Sequence, residues 1–163
     1  MAQIDLKNCT ISFIDGSTPA NSIDVKIGEG TLRWSEKRNI QYTLDRGTLD
    51  EVREGDEVPV DVNLDFTWEY ITGDGTIPSI EDALKNIGAA SDWVSSDADA
   101  CRPYALDIQI VNEPTPAACG DKETTLLADF RYEDISHDAK AGTCSLAGKC
   151  NVTKATSTRA AQS

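Results

Sequence analysis

The chain has 163 residues, of which 39% are hydrophobic and 26% are charged, and it carries a formal net charge of -13. This length and composition are sufficient for one globular domain with its own core. The acidic charge argues against a nucleic-acid-binding protein, which needs a basic surface to displace counterions from phosphates. The N-terminal residues lack the pattern of a secretory signal, and no apolar run is long enough for a membrane-spanning helix. We therefore expect a soluble protein that is made in the cytoplasm and has no membrane partner.

The first 44 positions contain four short runs in which apolar and polar residues alternate. Alternation with a period of two is typical of strands that bury one face. Asp15 and Gly16, followed by the polar residues 17–21, indicate a turn between the first two runs. The predicted strands are residues 4–14, 23–27, 32–34 and 40–44.

Residues 45–57, DRGTLDEVREGDE, form the most charged stretch of the chain and contain only Leu49 and Val52 as apolar anchors. Two interpretations are open, a solvated hairpin loop and an arm that docks on a neighbouring subunit. In the second, alternating charges would form reciprocal salt bridges, which set orientation and register more than affinity. The residues proposed for this docking are Arg46, Asp50, Glu51, Arg53 and Glu54.

Residues 59–71, PVDVNLDFTWEYI, show the clearest pattern in the chain. Even positions from Val60 to Tyr70 are apolar or aromatic, and odd positions from Asp61 to Glu69 are polar or acidic. We predict a strand with one buried and one wet, acidic face, because a helix would scatter these apolar residues around its axis.

A single short helix is predicted over residues 79–87. Ser79 is suited to the N-cap, Asp82 would complete an imperfect capping box, and Gly88 is suited to the C-cap. Apolar residues recur at helical spacing at Ile80, Ala83, Leu84 and Ile87. Such a short amphipathic helix must pack against the sheet to be stable.

Three further strands are predicted over residues 104–111, 126–132 and 144–152, and the small, polar residues 156–163 are predicted to form a flexible tail. The chain has no βαβ rhythm. These features favour a mainly β fold, an antiparallel β-sandwich or barrel with one short α-helix, and we assign residues 1–155 to this single domain.

The sequence shows no catalytic constellation and no nucleotide-binding glycine loop. The lone His137 lies in a polar stretch with Asp134 and Asp138, where we predict that it is solvated. We therefore expect neither an enzyme nor a bound cofactor.

The cysteines lack the close C-x-x-C spacing of most zinc sites, so no metal site is predicted. Their odd number leaves at least one free or paired between chains. If disulfides form, we expect them between Cys101 or Cys119 and the last strand, because these two cysteines flank a strand too long for a bridge. The alternative is that all are small buried apolar side chains. The five are Cys9, Cys101, Cys119, Cys144 and Cys150.

The order of these features resembles that of the major tail tube proteins of long, flexible-tailed (siphovirus) bacteriophages. The main resemblance lies in residues 31–70, TLRWSEKRNIQYTLDRGTLDEVREGDEVPVDVNLDFTWEY, where a strand, a charged DRG corner and a charged loop precede the acidic strand. The segments CRPYALDIQIVNEP, CGDKETTLLADFRYE and AKAGTCSLAGKCNVTKA are similar to the closing strands of the same family. The resemblance covers about residues 4–155 and extends to no role for the cysteines.

The resemblance implies a small β-sandwich subunit, six copies of which form a ring whose inner sheets join into a continuous barrel. Rings stack into a tube that conducts phage DNA without specific binding, and the arm over residues 45–57 reaches the adjacent ring. It also implies contacts with the tape measure, the tail terminator and the baseplate or distal tail proteins. The subunit would assemble in the host bacterial cytoplasm and end in the virion tail.

An acidic lumen suits such a conduit, because like charges repel the DNA phosphates and prevent the DNA from binding to the wall. Which sheet would face inward does not follow from the sequence. The candidate lumen-facing acids are Asp61, Asp65, Glu69 and Asp107.

Two other functions stay open. The tube protein of a contractile injection system shares the architecture, but a sheath would need basic contacts on the tube exterior, which the scarcity of Lys and Arg disfavours. A monomeric β-sandwich module that binds carbohydrate or protein would usually display an exposed aromatic platform. Trp34 and Trp68 are in phase with core residues, so we expect only Trp93 to be available for such a platform.

Overall fold

The structure, a computed structural model, describes residue 4 and residues 6–27, 31–69 and 75–162. The strands within these ranges are β1 (Cys9–Ile14), β2 (Ser22–Val25), β3 (Leu32–Ser35), β4 (Ile40–Asp45), β5 (Thr48–Glu54), β6 (Val60–Thr67), β7 (Leu106–Asn112), β8 (Lys122–Asp138), β9 (Thr143–Cys150) and β10 (Thr156–Ala160). The α-helix α1 spans Ile80–Lys85, and short 3-10 helices span Leu6–Asn8, Gly88–Ala90 and Ala117–Cys119. The predicted mainly β, antiparallel fold with one short α-helix is confirmed.

Eight strands form one antiparallel sheet in the order β2-β1-β7-β8-β9-β6-β3, with β10 paired to β8 outside this path. The 17-residue strand β8 joins the two halves of the sheet. Its first part pairs with β7 and β10, and its second part, from Phe130 onward, pairs with β9. The sheet also curls towards closure, because the Thr67 N–H donates to the Lys26 carbonyl at 2.8 Å and so links β6 to the end of β2.

The core lies within this curled sheet and beneath α1. Strand β6 buries Val60, Val62, Leu64 and Phe66 and turns its intervening residues outward, as the period of two predicts. The predicted continuation of this strand through residues 70 and 71 lies outside the described residues. Burying each of these side chains contributes about 1.5–3 kcal/mol to stability.

The predicted capping box of the helix is present, since the Asp82 N–H donates to the Ser79 Oγ and the Ser79 N–H donates to the Asp82 carboxylate. The predicted C-cap at Gly88 is wrong. The helix ends at Asn86, whose left-handed backbone (φ 56°) redirects the chain before Ile87, and Ile87 is consequently exposed. No helix among the described residues is long and apolar enough to cross a membrane.

The predicted boundaries differ most from the structure at three places. β1 begins only at Cys9, after a 3-10 turn. β8 is much longer than residues 126–132, so His137 lies in a strand rather than in a polar turn. The flexible tail predicted over residues 156–163 is wrong for Thr156–Ala160, which form β10, because the first half of β8 offers these residues a free edge for backbone hydrogen bonds.

The tryptophans reverse the sequence prediction. Trp34 and Trp68 are 38% and 49% exposed, whereas Trp93 is only 8% exposed. Trp34 lies on the edge strand β3, and Trp68 follows the last residue of β6, where the chain has left the ladder. Trp93 instead packs into the core after the 3-10 turn at Gly88–Ala90.

No disulfide links any of the five cysteines, all of which lie in the described part of the chain. The exposed Cys101 and Cys119 and the half-buried Cys9 do not fit the alternative of five buried apolar side chains, which holds only for Cys144 and Cys150 on β9.

We predict that Gly148→Ala destabilises the protein by about 1–3 kcal/mol, the usual cost of overpacking. A Cβ at Gly148 would meet the Arg131 carbonyl and would approach the Phe130 ring to 2.8 Å, and both neighbours are held in the sheet. Denaturant unfolding should show the loss. The control is Ser145→Ala, an exposed position on the same strand, which should change stability by less than about 0.5 kcal/mol. Equal effects of the two substitutions would contradict the packing argument.

Candidate functional site

Strands β4 and β5 form a hairpin that pairs with no other strand in the described part of the chain. Arg46 and Gly47 connect them with φ values of 53° and 81°, the positive pair that a tight type I′ turn requires. Most of the charged stretch over residues 45–57 is therefore a strand and not a loop.

One face of this hairpin is apolar and uncovered. Tyr42 pairs with Val52 across the strands, and Leu44 pairs with Leu49, so the four side chains share one face. Their exposed fractions are 62%, 59%, 60% and 69% in that order. A contiguous exposed apolar patch usually marks an interaction surface, and an isolated two-stranded hairpin is at best marginally stable in water. We call these four side chains the hairpin apolar face.

The charged residues predicted to dock do lie on this hairpin, and all are exposed, but they do not form one surface. Arg53 and Glu51 lie on the polar face, where the Arg53 Nε–H donates to the Gln41 side chain at 2.9 Å. Glu54 pairs with Ile40 on the opposite face, Arg46 is in the turn, and Asp50 occupies the irregularity described next.

The hairpin apolar face does not appear in the sequence as a regular alternation on both strands. The strand register shifts between Thr43 and Leu44, so Asp50 is an extra residue that opposes none on β4. Leu49 and Val52 are consequently three positions apart in sequence and yet lie on the same face. The regular alternation in residues 40–44 was the available signal.

The candidate lumen acids are only partly brought together. Asp61 and Asp65 share the outward face of β6, but Asp61 is flanked by Lys37 at 3.7 Å and Lys149 at 3.9 Å. Glu69 pairs with Lys26 at 3.5 Å. The outward face of β6 is therefore a mixed-charge surface in which Asp65 is the exposed acid without such an ion pair among the described residues.

Asp107 does not belong to this surface. It lies on β7, three strands away from β6 in the sheet, and it is half-buried. Its carboxylate accepts a hydrogen bond from the Asp129 N–H at 3.0 Å. Burial, together with the neighbouring charge of Asp129, raises the pKa of Asp107.

Asp97 has the opposite environment. Its carboxylate accepts hydrogen bonds from the Asp99 N–H at 3.0 Å and from the guanidinium groups of Arg131 at 2.8 Å and Arg102 at 3.4 Å. These contacts lower the pKa of Asp97 to about 2 and tie the 95–105 loop to β8.

A second cluster lies at the end of the core. His137 on β8 and Cys144 on β9 are directly opposite in the strand register, and Glu81 reaches them from the first turn of α1. The His137 Nδ1 is 2.9 Å from the Cys144 Sγ, and the His137 Nε2 is 2.7 Å from a Glu81 carboxylate oxygen. Trp68 stacks on the imidazole with ring centroids 4.9 Å apart. Burial and the Glu81 charge raise the pKa of the Cys144 thiol.

Sequence reasoning missed this cluster because its members come from three elements and have no close spacing. The prediction of a solvated His137 is confirmed, because the residue is exposed, although Glu81, Cys144 and Trp68 contact its ring. The one available signal was the placement of a histidine and a cysteine within a few residues of the same β-turn.

No family model and no curated protein match this sequence. The fold is similar to that of a solved structure, the sheath/tube terminator of the extracellular contractile injection system PVC in its extended state. The TM-score is 0.55 and the identity 12%, and the similarity covers 97% of this chain and 98% of that chain. At this identity the comparison establishes a shared fold, which is consistent with the resemblance to tail proteins but does not show a siphovirus tail tube in particular.

We predict that Asp97→Asn and Asp107→Asn change stability with opposite signs at neutral pH. Because the folded pKa of Asp97 is about 2 and its ordinary value 3.8, its stabilising contribution is present above pH 3.8 and is lost as the pH falls towards 2. Asp97→Asn should therefore destabilise the protein at neutral pH and have little effect in acid.

The raised pKa of Asp107 means that its charged form costs stability above that pKa. Asp107→Asn keeps an oxygen acceptor for the Asp129 N–H, so it should stabilise the protein slightly at neutral pH, and this gain should vanish in acid. Denaturant unfolding of both variants across the acid range measures these changes in stability. Stability changes of the same sign at neutral pH would contradict the two carboxylate environments described above.

Proposed function

We propose that this protein is a structural subunit of a phage-tail-like particle and that the hairpin apolar face docks on a neighbouring subunit. The exposure of that face carries the proposal. The fold similarity to a tube terminator and the order of the sequence features support the same class of protein.

The hairpin is suited to assembly on energetic grounds. Each Leu, Val or Tyr side chain of its apolar face would contribute about 1.5–3 kcal/mol on burial. Folding of the single chain does not gain this energy, because the four side chains remain exposed. A neighbouring copy would supply the missing cover, and the surrounding charges would set the orientation of docking.

The sheet provides a second kind of contact. β3 ends the strand order, so its outer edge has no strand partner among the described residues. Unpaired edges are templates for pairing with another chain, and pairing between subunits would close a ring. We propose six subunits per ring and stacked rings forming a tube that conducts DNA, with tape measure, terminator and baseplate proteins as partners in a virion tail assembled in the host cytoplasm.

A decisive test replaces two leucines of the hairpin apolar face. Leu44→Asp with Leu49→Asp should leave the main sheet folded, because neither side chain belongs to its core, and should abolish ring and tube formation in negative-stain electron microscopy. The matched control is Thr43→Asp with Thr48→Asp, which adds the same charge to the other face of the same strands.

Assembly should survive in the control. If the leucine variant still forms rings or tubes, the docking role of this face is wrong. If the wild-type protein stays monomeric even with tail components present, a monomeric binding module that uses the exposed Trp34 and Trp68 becomes the better proposal.

A tail terminator is the second candidate, because the similarity to the PVC terminator extends over nearly the whole of both chains. The two roles differ in the product of assembly. A tube subunit polymerises into stacks of variable length, whereas a terminator forms one ring that stops growth. Size distributions from sedimentation of the wild-type protein would separate them.

For the tube, we predict that Asp61→Lys with Asp65→Lys slows DNA ejection, because a basic lumen would hold the phosphate backbone. The control reverses two exposed loop acids, Asp92→Lys and Asp121→Lys. Ejection rates of particles built with each variant provide the measurement. Equal rates in both variants would assign the lumen to a surface other than the outward face of β6.

A further inference from the structure

Three side chains that can bind a metal ion converge where the α-helix covers the end of the core. Cys144 is on the core face of β9, His137 faces it from β8, and Glu81 comes from α1. One donor atom from each residue lies within 4.8 Å of one donor atom of both others. These residues are separated by up to 63 positions in the chain, so only the tertiary fold assembles them.

The contacts are more than a hydrogen-bonded chain through the imidazole. The two ring nitrogens point away from each other, so a straight chain would place the sulfur and the carboxylate on opposite sides of the ring, far apart. Here the Cys144 Sγ and a Glu81 oxygen lie within 4.8 Å of each other. Both groups therefore lean towards a shared point beside the ring.

The donor set fits one class of ion. Thiolate, imidazole and carboxylate together are typical zinc ligands, whereas calcium and magnesium prefer oxygen alone. Zinc bonds of about 2.0–2.3 Å require ligand atoms about 3.3–3.6 Å apart, so shifts of about 1 Å would complete the geometry.

We propose that Glu81, His137 and Cys144 form a zinc-binding site with a fourth position open to water. On binding, the thiol releases its proton to solvent and zinc takes its place on the sulfur, while one imidazole nitrogen gives its lone pair to the ion.

The surroundings favour this role. Trp68 stacks on the His137 ring and limits its orientation, and Lys85 lies 3.6 Å from one Glu81 oxygen, so the other oxygen, which contacts the His137 Nε2, is the one turned towards the cluster. Glu81 and Trp68 also line a cleft of about 300 Å³ beside the site. The ion would fasten α1 to the β8–β9 hairpin, so its binding should raise thermal stability.

Cobalt titration of the full-length, metal-stripped protein tests the proposal directly. One Co²⁺ per chain should produce the near-ultraviolet absorption of a thiolate–cobalt bond, and zinc should displace it. Cys144→Ser should abolish this band and His137→Gln should weaken binding at least tenfold. The control Cys101→Ser removes an exposed thiol that is not part of the cluster and should change neither the band nor the affinity.

Glu81→Gln separates a ligand from a structural partner. Glutamine can still accept the His137 N–H hydrogen bond. If the contact is purely structural, the Glu81→Gln variant should therefore keep the melting temperature of the wild type. A zinc ligand would instead show a smaller rise in melting temperature on adding zinc and at least tenfold weaker binding than the wild type. The proposal is overturned if the wild type shows no cobalt–thiolate band, if Cys144→Ser keeps it, or if Cys101→Ser loses it.

Discussion

Strand β8 is the constraint on which the rest of the structure depends. It is long enough to pair with β7 and β10 at one end and with β9 at the other, so it holds both halves of the sheet in one backbone. The change of partner occurs near Asp129, whose positive φ bends the strand. Phe130 then packs against Phe13 of β1, with ring centroids 6.3 Å apart, and joins the core of the two halves. The end of the same strand delivers His137 to the cluster beneath α1.

The hairpin of β4 and β5 differs from β8, because none of its side chains belongs to that core. Its apolar face remains in solvent, although each of its four side chains would gain free energy on burial. An exposed apolar face of this kind usually marks a surface that another molecule covers. This exposed face is the ground for the proposed assembly, and the shared fold with a tube terminator is consistent with that proposal.

Charge has a more local role than the net value of -13 suggests. Asp61 and Glu69 face lysines, Asp97 holds two arginines, and Asp107 is half-buried on another strand. The acidic residues are thus divided among ion pairs, buried carboxylates and free surface groups such as Asp65. Only the last kind would contribute an unscreened negative field to the proposed DNA conduit.

The sequence by itself determined the fold class, the buried face of β6 and the capping box at Ser79, because each depends on the local period or on residues three positions apart. Contacts distant in sequence decided the rest. The extra residue Asp50 hid the hairpin apolar face, and a free edge of β8 ordered the predicted tail as β10. The exposure of the tryptophans is the reverse of the prediction, because the alternation of residues along a strand does not reveal where the strand ends or whether it lies at an edge of the sheet. Glu81, His137 and Cys144 meet only through strand register and helix packing, and no local pattern encodes that meeting.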